Sequence, residues 1–303
     1  MLESERSFIG ARRWPASLDC SFSGQGGRTR LEHMNFSGPL RVQRLFYPEK
    51  ERADQASLPC HCYLLHPPGG MVSGDSLDIK CRLQAGSHCL VTTPAAGKIY
   101  RAGEGWAAQS QSCCAELEDG VLEWLPLENI VYNGAQARLS TLFRLRGQSR
   151  LLAWDLTCLG RAACDEKFAA GRLVQSLCIL RDEKPLLHER LDLEGGGEGG
   201  ANPALLRGGQ VLAAFYACGR PDHPRDAKAL RSAKEALQGL CARTREESGG
   251  QESCGVTLRG EVLIARCLGA NANVARRFCR KAWGLTRPLL LGIEACAPRV
   301  WHT

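Results

Sequence analysis

No stretch of this 303-residue chain approaches the roughly 18 uninterrupted apolar residues that a membrane-spanning helix needs. The longest candidate, Leu289-Leu290-Leu291, stops at Gly292 and Glu294. The opening segment, Met1 to Gln25, carries Glu3, Glu5, Arg6, Arg12, Arg13 and Asp19, so it holds no continuous apolar core for a secretory signal. A cytoplasmic location is the expectation. Cys-x-x-Cys is missing too, which removes zinc-ribbon and thioredoxin-type motifs even though the chain has 16 cysteines. Regular alternation of strands with helices is absent, which disfavours a Rossmann-like sheet. Gly195-Gly-Gly-Glu-Gly-Gly200 satisfies the dinucleotide fingerprint, but it runs into Ala201-Asn-Pro203 instead of a helix N-terminus. That run reads as a flexible hairpin loop.

What is present describes a folded chain. Hydrophobic residues make up 44% and charged ones 23%, which excludes a disordered tail, a collagen or a coiled coil. The net charge of +7 owes much to Arg276, Arg277, Arg280 and Lys281. Without a stacking platform or a recognisable DNA-binding motif, this basic stretch reads as a solvated helix face or a protein-docking surface, not a nucleic-acid site. Most cysteines sit singly in apolar runs, such as Cys178 and Cys267, where a reduced thiol acts as a small hydrophobe. Cys60 and Cys62 share one face of a strand, so a soft-metal site there stays open.

Period-two patterning dominates. In Leu77 to Gln84 the apolar residues fall on 77, 79, 81 and 83, the mark of a half-buried strand. Comparable segments are Leu40 to Tyr47, His61 to His66, His88 to Thr92, Val121 to Leu125, Arg138 to Arg146, Leu151 to Cys158, Leu173 to Arg181, Leu186 to Leu193, Val211 to Cys218 and Val256 to Leu268. Gly, Pro and Asn-Gly turns separate them, at spacings that fit a sandwich, barrel or solenoid. Two stretches have a helical period instead. Arg225 to Glu246 carries Leu230, Ala233, Leu237, Leu240 and Cys241 on one stripe, and Asn273 to Trp283 carries Val274, Phe278 and Ala282, with Gly284 and Pro288 expected to end it.

Four segments hold residues with chemical potential. His61 to Leu77 packs two prolines and three glycines into a loop containing His66 and Asp75. Its Gly74-Asp-Ser-Leu77 spells the GDSL esterase signature with Ser76 as nucleophile, but Arg299 stands where that family places an acid three residues before its histidine. Thr92 to Arg101 gathers Lys98, Tyr100 and Arg101. Val121 to Val131 sets Glu123 and Glu128 among apolar neighbours, and Trp154 to Arg161 does the same with Asp155. A lone buried carboxylate costs several kcal/mol, so such acids are paired, exposed or lining a polar passage.

Taken in order, Gly38-Pro-Leu-Arg-Val-Gln-Arg44, Phe46-Tyr-Pro-Glu49, His66-Pro-Pro-Gly-Gly-x-x-x-Gly-Asp75, Thr92-Thr-Pro-Ala-Ala-Gly-Lys-x-Tyr-Arg101, Leu122-Glu-Trp-Leu-Pro126, Cys158-Leu-Gly-Arg161 and Pro298-Arg-Val-Trp-x-Thr303 form a distinctive set. The chain closely resembles the urease accessory protein UreD family, called UreH in some bacteria, from about Trp14 to its last residue. The resemblance implies a mainly β fold, with strands stacked in a β-helix-like two-layer body and two α-helices in the C-terminal third. It implies one domain over 1–303, with the β body at about 14–220 and 254–270 and the helical elements at about 224–248 and 272–286. It further implies a cytoplasmic scaffold without turnover that binds a UreF-type protein, through it a UreG-type GTPase, and apo-urease, and passes nickel through an internal passage. No tightly bound cofactor, nucleic acid or membrane enters this picture.

A divalent ion in transit needs oxygen or imidazole ligands along a wet channel, each too weak to trap it. Asp75, Glu128, Asp155 and Glu123 are therefore the expected passage or gating carboxylates, with His66 and Glu49 at the entrance or exit. Lys98, Tyr100, Arg101, Arg161, Arg299 and Trp301 are the motif residues expected to serve partner binding, with Pro298 to Thr303 and the two helices as the docking elements. Cys60, Cys62, Cys81 and Cys89 read as core substitutions, and Ser110 to Cys114 as a variable loop.

Overall fold

The computed structural model describes residues 13–50, 57–103, 107–202, 205–220 and 222–302. Among them the strands form two sheets. The first is ordered β14 (Lys184–Glu194), β13 (Arg172–Arg181), β11 (Gln136–Arg146), β8 (Gln109–Glu118), β5 (Asp75–Leu83), β1 (Trp14–Gln25) and β2 (Arg28–Ser37). The second is ordered β16 (Ser253–Arg259), β17 (Val262–Gly269), β15 (Val211–Cys218), β12 (Arg150–Leu159), β9 (Val121–Trp124), β6 (His88–Thr92), β4 (Cys60–Leu65) and β3 (Arg41–Val42), with β7 (Gly97–Ile99) and β10 (Asn129–Val131) attached beside β12.

From β4 to β13 the chain visits the sheets in turn, and the strands within each layer are parallel. Leu18, Ile79, Cys113, Thr141 and Leu177 line up across β1, β5, β8, β11 and β13. Cys60, Cys89, Leu122 and Leu151 do so across β4, β6, β9 and β12. This is the stacked, β-helix-like two-layer body that the family resemblance implied. Antiparallel hairpins close it at both ends, β1–β2 and β13–β14 in one sheet and β15 to β17 in the other.

The turns between layers stack as tightly as the strands. The Gly86 N–H reaches Asp119 O at 3.2 Å and the Val121 N–H reaches Ser87 O at 2.8 Å. A Cβ on Gly24 would lie 2.3 Å from the Gly86 carbonyl oxygen, so only glycine fits where β1 passes that turn.

Helices α1 (Pro224–Glu247) and α2 (Ala272–Leu291) cover the outer face of the second sheet. Leu237, Leu240, Phe278, Ala282 and Trp283 pack there with Leu90, Leu152, Phe215 and Leu263. The second sheet is therefore buried on both faces, which is why β12 reads Leu-Leu-Ala-Trp-Asp-Leu-Thr-Cys-Leu with almost no alternation of polarity. On the inner face Cys20, Cys60, Cys62, Cys81 and Cys89 belong to the core between the sheets, all at most 1% exposed.

Several boundaries differ from the sequence expectation. β1 and β2 were not anticipated, and Ser110 to Cys114 belongs to strand β8 instead of a loop. The inward residues of β8, Gln109, Gln111, Cys113 and Ala115, have too little hydropathy to show the period, yet the register with β5 and β11 fixes them in the layer. Val256 to Leu268 is the hairpin β16–β17, turned at Gly260 with φ +57°. Only Arg41–Val42 of the 40–47 segment pairs as a strand, with Phe46 bridging His61. The glycine run contains a single helical turn, Glu198–Ala201.

Helix α2 runs past Gly284 and takes in Pro288. A proline in the last turn forfeits one backbone bond, a small loss against the buried Trp283, Arg287 and Leu290 that hold that end. Gly292 in the left-handed region, φ +76°, then closes the helix.

Asp226 pins the start of α1. Its Oδ2 accepts from Arg150 Nε at 2.7 Å and from the Arg220 N–H at 2.9 Å, and its Oδ1 accepts from Arg150 Nη2 at 2.9 Å. Burial works to raise its pKa, but these donors outweigh it and hold the carboxyl far below the ordinary value. Asp226→Ala should cost about 3–5 kcal/mol, read as a lower denaturant midpoint, because it strands Arg150. That contribution is complete above the unfolded carboxylate pKa near 4 and is lost as pH falls towards the depressed folded value. A substitution that left the midpoint unchanged would show that the packing of α1 does not need this pair.

Candidate functional site

Two cavities lie between the sheets. The first, about 320 Å³, opens beside His66, Pro67 and Lys98 and is walled by Met71, Leu139 and Trp154. The second, about 450 Å³, opens beside Leu205, Glu189 and Arg266. Their walls have Asp155, Gln175, Ser176 and Leu177 in common, so they meet at one place. Asp155 and Thr157 point inward from β12 and Gln175 from β13. Gln175 Nε2 donates to Asp155 Oδ2 at 2.6 Å and contacts Thr157 Oγ1 at 3.1 Å, spanning the gap between the layers. Burial lifts the Asp155 pKa above its ordinary value, while hydrogen bonds from Gln175, Thr157 and the Leu156 N–H pull it back.

Both mouths are polar. Burial lowers the His66 pKa, and the charge of nearby Asp75 opposes that fall. Asp75 itself accepts the Val72 N–H at 2.8 Å and so holds the turn that leads into β5. Gly70 lies against the Tyr100 ring, where a Cβ would come within 2.5 Å of Cε2. At the far mouth Glu189 of β14 accepts the Tyr216 hydroxyl at 2.8 Å and pairs with Arg266 of β17, tying one sheet to the other.

The other acids lie on the opposite face of the second sheet. Glu123, fully buried, accepts from Trp283 Nε1 at 2.5 Å, His88 Nε2 at 2.7 Å and Arg287 Nη2 at 2.9 Å. Arg287 Nη2 also donates to Glu49 Oε1 at 2.7 Å, and His61 Nε2 donates to that oxygen at 3.0 Å. Burial works to raise the pKa of both carboxyls, but Arg287 and the histidines outweigh it and hold both below the ordinary value. Burial also works against the charge on Arg287, and the two carboxylates reverse that. Glu128 faces α2 as well, 3.6 Å from Arg276 Nη1, with its Oε2 unpartnered.

Of the six expected passage residues, then, Asp155 and His66 line the cavities. Asp75 stands behind His66, Glu49 and Glu123 share the ion cluster, and Glu128 stands apart. Lys98 lines the first mouth. Tyr100 and Tyr132 meet edge to face at 5.0 Å, with the Arg161 guanidinium 4.8 Å from the Tyr132 ring centre and Arg101 against Gly134. Arg299 opens the closing 3-10 turn, and Trp301 is tucked inward, its Nε1 donating to Thr92 Oγ1 at 2.9 Å and its ring 5.1 Å from Trp154. Sequence reasoning missed Gln175, His88 and Arg287. An arginine four residues after Trp283, on the buried stripe of an amphipathic helix, was the available signal for Arg287.

Among the described residues, no group of three or more His, Cys, Asp and Glu has the geometry to hold a metal ion. In the ion cluster the reason is visible, since a guanidinium already occupies the space between the carboxylates. Ser76 lies inside β5, paired with Pro15 and Ser110, and not on the strand-to-helix turn of a nucleophile elbow. No helix among the described residues is long and apolar enough to cross a membrane.

Residues 15–302 match the family described as UreD urease accessory protein. The chain belongs to the urease accessory protein UreD family. It is 40% identical to the urease accessory protein UreD of Hahella chejuensis, over 97% of this chain and 92% of that one. It is 37% identical to the Chromohalobacter salexigens protein of the same name (99% and 92% covered) and 39% identical to that of Pseudomonas entomophila (96% and 95%). The UreD family member described here therefore has a role in urease maturation.

Glu123→Gln in this UreD family member should destabilise the fold by about 3–5 kcal/mol, because Arg287 loses most of its countercharge in an apolar layer. Adding Arg287→Met should restore part of the loss, a coupling that a double-mutant cycle measures in the denaturant midpoint. Strict additivity would show that the two side chains act independently.

Proposed function

We propose that the protein is a non-catalytic scaffold of urease maturation that passes nickel between its two β-sheets. In this proposal it works in the cytoplasm, docked on apo-urease together with a UreF-type protein and, through it, a UreG-type GTPase. The carrying observation is the pair of cavities that open at separate mouths and meet at Asp155. Their walls are largely apolar, and the polar groups are spread out, with His66 and Lys98 at one mouth, Asp155 and Gln175 at the junction and Glu189 at the other mouth. Such spacing favours passage over storage, because no single position offers a closed ligand set.

The chemistry of the junction suits a borderline divalent ion such as nickel. A carboxylate oxygen is a ligand that exchanges, whereas a closed thiolate set would hold the ion. The family resemblance supplies the partners, and Glu49, Glu123 and Glu128 serve the architecture around α2 in this view, since the intersheet space does not reach them.

Asp155→Asn should leave the melting temperature and partner binding close to wild type while lowering nickel-dependent activation of urease at least tenfold in a reconstituted assay. The same assay run against pH should show activation failing on the acid side, above the pH expected for an exposed carboxylate, because burial raises the Asp155 pKa. Normal urease nickel content in cells lacking the protein would reject the maturation role. Normal activation by Asp155→Asn would reject the route.

A further inference from the structure

Gln175 is a neutral side chain that reaches across the intersheet space at the place where the two cavities meet. Its amide nitrogen is 2.6 Å from Asp155 Oδ2 and 3.1 Å from Thr157 Oγ1, and its Oε1 lies 3.3 Å from the same Thr157 oxygen. Asp155 and Thr157 belong to β12 of the second sheet and Gln175 to β13 of the first, so this contact is a bar between layers that separates one chamber from the other. We infer that the Gln175 bar is a gate, closing the junction by occupying the Asp155 carboxylate and yielding that carboxylate to a divalent cation only when the amide swings away. This rests on the passage proposed above and adds a positioning residue to it.

The physical case is one of competition. Asp155 is walled in by protein, and a carboxylate in such a place that loses one of its donors is costly. Gln175 supplies a donor with no net charge, so the carboxylate is satisfied while no ion is present, yet no cation among the described residues neutralises it. Glu123 makes the contrast, because Arg287 holds it permanently. A neutral partner can be displaced by an arriving dication at the cost of one hydrogen bond, and it returns once the ion has left, which keeps the site weak. The titratable groups whose charges bear on this region are the Cys113 thiol from β8, the Tyr216 hydroxyl from β15 and the Cys279 thiol from α2, and burial raises the pKa of all three. None of these carries a positive charge, and the guanidiniums that line the second cavity, Arg266 and Arg190, are paired with Glu189 and Asp192.

The test is a nickel titration of the purified full chain with nickel ion alone, comparing wild type with Gln175→Leu, which keeps the bulk and removes the donor. Gln175→Leu should bind one equivalent about tenfold more tightly than wild type, the scale of one charge-assisted hydrogen bond, and should slow release of the ion in the urease activation assay. Adding Asp155→Asn should abolish the gained equivalent. If Gln175→Leu does not fold, Gln175→Met takes its place, with the circular dichroism melt as the check.

Unchanged affinity in a folded variant would overturn the gate, as would a gained site that survives Asp155→Asn. The passage proposal fails by a different result, normal urease activation by Asp155→Asn with wild-type Gln175. Tighter binding in Gln175→Leu together with that result would uphold the gate and reject the route.

Discussion

The pairing of Glu123 with Arg287 fixes how the second sheet meets its helices. Both side chains are fully buried, on the face of β9 that looks towards α2, and each would be unaffordable there alone. Together with Trp283, His88, Glu49 and His61 they join β4, β6, β9 and α2 at one point. Purely apolar packing between a sheet and a helix tolerates sliding, since one leucine resembles another. A directional set of hydrogen bonds to one carboxylate admits a single position of α2 along the sheet. Trp283, held by that carboxylate, then presents its ring to Trp301 at 5.4 Å, and Trp301 stacks on Trp154 of β12, so the cluster also sets the position of the chain's last turn.

A consequence of this anchoring is that the second sheet has two faces with different chemistry. Its outer face carries the closed ion cluster and the helices, while its inner face carries thiols, aliphatic side chains and the cavity-lining Asp155 and Thr157. The strand alternation enforces the division residue by residue. Leu122 and Trp124 look inward while Glu123 looks out, and Cys60 and Cys62 look inward while His61 looks out. Acids that appear equivalent in a sequence, each set among apolar neighbours, are thereby assigned to different compartments by parity alone.

That parity explains how much could be read beforehand. The strand-rich body, the C-terminal helices and the shared face of Cys60 and Cys62 follow from periods of two and of 3.6, which sequence displays directly, whereas the stacked two-layer arrangement came only with the family resemblance. Strand β8 escaped because Gln109 and Gln111 fill two of its inward positions and blur the period, and because its placement comes from pairing with distant strands, whereas β1 does alternate, with Ala16, Leu18, Cys20 and Phe22 buried. The division of acids between cavity and ion cluster was beyond reach for a related reason. Glu123 is defined by Arg287, 164 residues away, and Asp155 by Gln175 on the facing layer. Partners of that kind are a property of the stacking, which only the assembled layers reveal.

The thiols that line the same space bear on the choice of ligand. Cys113 faces the first cavity beside Asp155, and burial together with the charge of that carboxylate pushes its pKa up to about 12. The ligand for a metal ion is the thiolate, so an ion near Cys113 must first displace a proton that burial holds well above neutrality. Asp155, also raised but starting from a carboxylate value, gives up its proton far more readily and so is the better ligand in the proposed passage. Cys218 is likewise pushed up to about 12 by burial, at the end of the layer where Arg181 grips backbone carbonyls. Buried thiols such as Cys113 and Cys218 can therefore fill the body without becoming a trap for an ion in the proposed passage, because the low-dielectric surroundings that make them good core residues are the same surroundings that keep them protonated.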